Sequence, residues 1–180
     1  MTTQGPNSPS TGASDSGVGT LAWTNPDRVV ASDDSKANAS STANVTTHYL
    51  KATNFGFSIP SGATINGVTV EIERMTTNNT AARNTIDNIV KLVKGGTISG
   101  TNKADVVSKW SIADAYATYG GASDLWGLTL TDSDVNASTF GVAISANTTS
   151  DGATINARID HIRITIDYTV ASTRRIFVVS

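Results

Sequence analysis

The 180-residue sequence predicts an all-β fold, a single antiparallel β-sandwich. Apolar residues recur at every second position in several segments, as a strand with one buried face requires. Turn-forming residues separate these segments. The length suits one domain, since roughly 100–200 residues make one core.

The elements follow in chain order. Residues 1–17, MTTQGPNSPSTGASDSG, are rich in Ser, Thr, Gly and Pro and carry no periodicity. Such a segment buries too little apolar area to fold alone. It is expected to be an extended N-terminal arm held by a neighbouring subunit. The β-sandwich domain is expected over residues 18–170. Val45–Leu50 and Phe55–Ile59 are short strand candidates, bounded by Asn25-Pro26 before and Pro60-Ser61-Gly62 after. Val68, Val70 and Ile72 then alternate with Thr69, Glu71 and Glu73. Val90 and Leu92 alternate with Lys91, and Lys94-Gly95-Gly96 closes that strand. Val106–Trp110 and Leu125–Leu130 are shorter candidates, and Ser111–Tyr119 is the one stretch that suits a short helix. Phe140, Val142 and Ile144 alternate with Gly141, Ala143 and Ser145. Ile162, Ile164, Ile166 and Tyr168 alternate with Arg163, Thr165 and Asp167. The sum is about eight antiparallel strands with one face buried, the pattern of a sandwich or barrel.

Parity adds a finer expectation. Ile155 and Ile159 sit on odd positions, whereas Ile162, Ile164 and Ile166 sit on even ones. A regular strand cannot turn both sets to one face. A β-bulge is therefore predicted near Asp160-His161. The pentapeptide GATIN occurs at Gly62–Asn66 and again at Gly152–Asn156. The residues after the two copies do not match in parity, so it reads as one strand-opening turn used twice, with Gly supplying positive φ.

Composition narrows function. Charged residues make up 16% of the chain, against roughly 25% in an average domain. Ser, Thr, Asn and Gly take their place, which suits a surface covered by copies or partners. The net charge of −2 leaves no basic footprint for nucleic acid. There is no cysteine, so disulfides, thiolate metal sites and cysteine nucleophiles are excluded. The N-terminus has no basic and apolar regions of a secretory signal, and no apolar run approaches the ~18 residues of a membrane span. Synthesis in a cytoplasm and exit by assembly or lysis are expected. The Asn-x-Ser/Thr sequons at Asn38, Asn44, Asn78, Asn136 and Asn147 reflect composition.

Groups that could do chemistry are sparse. The only histidines, His48 and His161, lie in strand-like stretches, and no serine sits in a nucleophile-elbow pattern. Glu71 and Glu73 share a strand face at roughly 7 Å, within the separation of an inverting glycosidase pair. A solvated face is the simpler account. Asp132, Asp134 and Asn136 form the D-x-D-x-N start of a calcium loop, but Ala137 and Ala143 stand where an EF-hand needs Gly and Glu. A looser calcium site there is the first metal candidate, with Asp33-Asp34 a weaker second. No other cofactor is implied. Trp23 and Trp126 are expected in the core, and Trp110 is the candidate for a glycan-stacking platform. Residues 171–180 form a C-terminal tail. Arg174 and Arg175 precede Ile176, Phe177, Val178 and Val179, a run of high β-propensity. Such a run either pairs within its domain or adds to a neighbour.

Several motifs together carry a resemblance. Trp23-Thr24-Asn25-Pro26 is followed by Ala31-Ser32-Asp33-Asp34, Leu50-Lys51-Ala52 and Asn54-Phe55-Gly56-Phe57-Ser58-Ile59-Pro60. Gly62-Ala63, Ile65, Gly67-Val68, Asp124-Leu125-Trp126-Gly127 and the closing Ile162–Tyr168 strand complete the set. This resembles all-β structural proteins of tailed bacteriophages, over most of residues 20–170. The resemblance implies a jelly-roll-like sandwich and a virion structural role, with no catalytic residues to carry over.

The expected function is accordingly a non-enzymatic virion protein, a capsid decoration protein attached through its terminal arms. Its partners would be copies of itself and the major capsid protein, with neither nucleic acid nor membrane. The alternative is a tail- or fibre-associated carbohydrate-binding module for host attachment, marked by exposed aromatics in one groove. An enzyme with Glu71 and Glu73 at the floor of a cleft is the third reading.

Overall fold

The structure is a computed structural model and describes residues 1–170. Among the described residues, eleven strands form two antiparallel sheets that face each other. The strands are β1 (Thr2–Asn7), β2 (Thr11–Asp15), β3 (Ala37–Ser41), β4 (Val45–Thr46), β5 (Tyr49–Thr53), β6 (Thr64–Thr76), β7 (Asn84–Lys94), β8 (Thr97–Ser99), β9 (Ala115–Gly121), β10 (Gly141–Thr149) and β11 (Ile155–Thr169). A 3₁₀ turn spans Pro26–Val29, and a short helix α1 spans Asp132–Asn136. The first sheet runs β1-β11-β6-β9, with β3 sharing the outer edge of β11. The second runs β2-β5-β10-β7-β8, with β4 also on β10. From β5 onward the long strands cross alternately between the sheets. The orders β3-β11-β6-β9 and β5-β10-β7-β8 are those of an eight-stranded jelly roll.

The alternating residues fill the space between the sheets. Val68, Val70, Ile72, Ile162, Ile164 and Ile166 of one sheet are buried with Leu50, Val90, Leu92, Val142 and Ile144 of the other. Each large aliphatic side chain so placed contributes about 1.5–3 kcal/mol. The expected bulge is present: the β11–β6 register shifts between Ile159 and His161, so Ile159 and Ile162 both face inward. Gly62 and Gly152 of the two GATIN copies hold φ of 76° and 99°, just ahead of β6 and β11. Because those strands are antiparallel partners, the two turns sit at opposite ends of the pair.

Two expectations are corrected. Residues 1–17, expected as an arm held by a neighbouring subunit, pair within their own chain. Thr2, Thr3 and Gln4 pair with Tyr168, Asp167 and Ile166 on β11. Thr11–Asp15 pairs with Tyr49–Thr53 on β5. Backbone hydrogen bonds to open strand edges, which hydrophobic periodicity does not register, hold this polar segment. The second concerns the helix. Ala115–Gly121 is strand β9 on the edge of β6, and the helix lies at Asp132–Asn136 instead. There Thr131 and Asp134 form a reciprocal capping box.

Candidate functional site

Strand β10 is longer than its neighbour β5. Its first half pairs with β5, and its second half continues past it to pair with β4 at Asn147 and Thr148. The chain before Leu21 folds against this extension: the N–H groups of Thr20 and Leu21 both donate to the carbonyl of Thr46. A groove of about 510 Å³ results, lined by Gly19, Thr20, Asn44, Val45, Thr46, Asn147, Thr148 and Thr149. Hydroxyls, amides and backbone dominate the lining; no charged or aromatic side chain contributes.

The amides beside the groove are fixed in orientation. The Thr46 hydroxyl donates to Asn147 Oδ1 at 2.7 Å. Asn147 Nδ2 donates to Asn88 Oδ1 at 3.4 Å, and Asn88 Nδ2 donates to the Ser145 hydroxyl at 3.1 Å. Asn44 Oδ1 accepts from the Ser150 N–H at 2.8 Å, which leaves the Asn44 NH₂ without a partner among the described residues. Such a lining can exchange several hydrogen bonds with a neutral, hydroxyl-rich molecule. It offers no cation to a phosphate or a carboxylate.

Trp110 is not a glycan platform. It is 1% exposed, and its indole N–H donates to Asp87 Oδ1 at 2.8 Å. The loop after β8 folds back over β7, and the Trp110 N–H donates to the carbonyl of Thr85. Asp87, fully buried, also accepts from Arg74 Nη1 at 2.7 Å, from the Tyr119 hydroxyl at 2.9 Å and from the Asp105 N–H at 3.1 Å. The Arg74 guanidinium lies 4.8 Å from the Trp110 ring centre. Burial pushes the Asp87 carboxyl up from its ordinary range, against the pull of Arg74. Burial likewise raises Tyr119. Trp23 and Trp126 are core residues, as expected, with their N–H groups on the carbonyls of His48 and Val68.

The calcium candidates are committed elsewhere. Asp134 caps α1 and contacts Lys94 Nζ at 3.1 Å. Asn136 spends both ends of its amide on the backbone of Ile59, at 2.8 and 2.9 Å. Asp132 is left alone, and that loop does not assemble a calcium shell. Among the described residues no three acidic or imidazole groups cluster at metal-ligand spacing. Glu71 and Glu73 project from the outer face of the first sheet, and both oxygens of Glu71 accept from Arg163 at 2.9 Å. No free carboxylate pair at the floor of a cleft exists there.

His161 stands between Ser8 and Tyr116, with each hydroxyl oxygen 2.8 Å from a ring nitrogen. Burial holds this imidazole below its usual pKa. The third group is a phenol rather than a carboxylate. Pro9 follows Ser8, so the residue after it offers no N–H to an oxyanion. The arrangement ties the end of β1 to β9 and β11. Arg174, Arg175, Ile176, Phe177, Val178 and Val179 lie outside the described residues. Sequence reasoning missed the groove. Its only signal was the local richness in Asn and Thr near positions 44–46 and 147–149.

No family model matches the chain, and no curated protein matches it. Among solved structures, it is similar to one described as "CBM4 structure and function". The TM-score is 0.39 at 12% identity, covering 77% of this chain and 87% of that one. It is also similar to the N-terminal cellulose-binding domain of Cellulomonas fimi β-1,4-glucanase C. There the TM-score is 0.36 at 12% identity, covering 89% of each chain.

Proposed function

We propose that this protein is a non-catalytic recognition module that binds a neutral glycan in the groove formed by Gly19-Thr20, Asn44–Thr46 and Asn147–Thr149. One observation carries the reading: the groove is lined by hydroxyl, amide and backbone groups without a single charge. Sugar hydroxyls are matched by such groups, and specificity comes from leaving none of them unpaired. Isothermal titration against a panel of neutral and acidic oligosaccharides tests it. Binding is expected for a neutral chain. Asn147→Ala, which removes one amide and frees its neighbours, should weaken it about 3–10-fold, the worth of a hydrogen bond or two. Binding that survives Asn147→Ala and Thr46→Val unchanged overturns the reading.

A second reading is a virion structural protein displayed in many copies on a tailed-phage particle. It is favoured by Val106, Val107 and Ile112, which are 53%, 83% and 60% exposed on the one loop between β8 and β9. Exposed aliphatic groups of this kind suit cover by a neighbour. Attachment through Arg174–Val179 belongs to this reading. Electron microscopy of particles carrying full-length protein or a chain lacking residues 172–180 tests it. Unchanged occupancy at symmetric positions refutes the role of the tail.

A further inference from the structure

The bulge in β11 creates an acidic site that neither reading uses. Asp160 is the extra residue: Ile159 stands opposite Arg74 and His161 opposite Glu73, so Asp160 has no partner in the ladder. Its carboxylate is covered by the 32–34 segment, where Oδ2 accepts from the Asp34 N–H at 3.2 Å. Asp160 is only 2% exposed, yet its Oδ1 has no hydrogen-bond partner. Glu73, on the neighbouring strand, has its Oε2 buried and equally without a partner. Buried carboxylate oxygens left unpaired are rare, and each calls for an explanation, a bound water or ion among them.

The surrounding charge sharpens the point. Asp33, Asp34 and Asp114 lie in the same region. The nearby cation Lys36 is spent on Asp34 at 3.0 Å and on Asp114 at 3.1 Å. Neither Asp160 nor Glu73 makes an ion pair among the described residues. Burial, and then the charges of Glu73 and Asp114, hold the Asp160 carboxyl above its ordinary pKa despite Lys36. The other cation of this region, Arg163, is spent on the two oxygens of Glu71, each at 2.9 Å.

We propose that Asp160 and Glu73 bind a hard divalent cation, calcium or magnesium, through their two unpaired oxygens, with water completing the shell. Two carboxylates plus water are a common donor set for such ions. The cation would pin the 32–34 segment to the bulge. It is a different place from the Asp132–Asn136 loop, though it adjoins the Asp33-Asp34 pair.

The test uses the full 180-residue protein stripped with a chelator. Terbium luminescence, sensitised by the nearby Tyr116, reports occupancy, and calcium and magnesium are added as competitors. Thermal unfolding is followed with each ion. The ion that binds should raise Tm by about 5–10 °C at a hundredfold excess over Kd. Asp160→Asn and Glu73→Gln should each weaken binding at least tenfold, while Asp132→Asn should not. Should Asp160→Asn fail to fold, Glu73→Gln decides. No binding of either ion at millimolar concentration overturns the proposal. So does binding that Glu73→Gln leaves intact, or a chain stabilised by protons and not by metal.

Discussion

Replacing Asp87 with alanine tests how this sandwich is held together at the end where β7 meets the 100–114 loop. The carboxylate is completely buried and is shared by Arg74, Trp110, Tyr119 and the Asp105 N–H. Removing it strands a guanidinium that is itself 9% exposed, together with an indole N–H and a phenol. Breaking a buried pair by deleting one partner costs about 3–5 kcal/mol. Against a total stability of about 5–15 kcal/mol, that is a large fraction. At about 2–4 °C per kcal/mol for a chain of this size, Tm should fall by about 6–20 °C. The double variant Arg74→Met, Asp87→Leu removes both charges and keeps the volume. It should be far more stable than Asp87→Ala, because no buried charge is left uncompensated. Urea unfolding followed by tryptophan fluorescence reads both, since Trp110 sits on the network. An Asp87→Ala protein within about 0.5 kcal/mol of wild type, the usual margin of surface changes, would refute the reasoning. A double variant worse than the single one would do the same.

Other outcomes follow from named contacts. His161 is held neutral, with its folded pKa below 6.5, so the unfolded chain takes up a proton first as pH falls. Stability from this group is intact above about pH 6.5 and is lost progressively below it, down to the folded pKa. Chemical denaturation at pH 7.5 and 5.5 should show wild type losing more stability than His161→Gln, and equal losses would contradict the assignment. The charges facing that ring are Glu73, Arg163, Asp33 and Glu71. Gly141→Ala would drive a methyl group into the carbonyl of Ala52 on the adjacent strand. A cost of about 1–3 kcal/mol is expected from such overpacking, and an unchanged denaturation midpoint would show that β5 and β10 are not this close.

How much of this was legible depended on where the physics was recorded. The strands whose side chains alternate were readable, and so was the bulge. Ile159 and Ile162 cannot both be buried on a regular strand, and here both are fully buried. Residues 2–15 were misread because backbone pairing with β11 and β5, not side-chain burial, places them. Trp110 misled for a related reason. Its immediate neighbours are Lys109 and Ser111, which suggest exposure, whereas the partner that buries it is Asp87. The groove left only its local Asn and Thr richness in the sequence, since Thr46 and Asn147 meet across a separation of 101 residues. Asp132, Asp134 and Asn136 looked like ligands from spacing alone. Asn136 and Asp134 turned out to anchor a loop and cap a helix, which are the other ordinary uses of short polar side chains.

The most direct measurement is an ¹⁵N-resolved NMR titration of the protein with the neutral oligosaccharide that binds best. Amide shifts confined to Gly19-Thr20, Asn44–Thr46 and Asn147–Thr149, absent in Asn147→Ala, are the predicted result. Shifts centred instead on the outer face around Glu71 and Tyr116, or no shifts with any neutral glycan, would contradict the account.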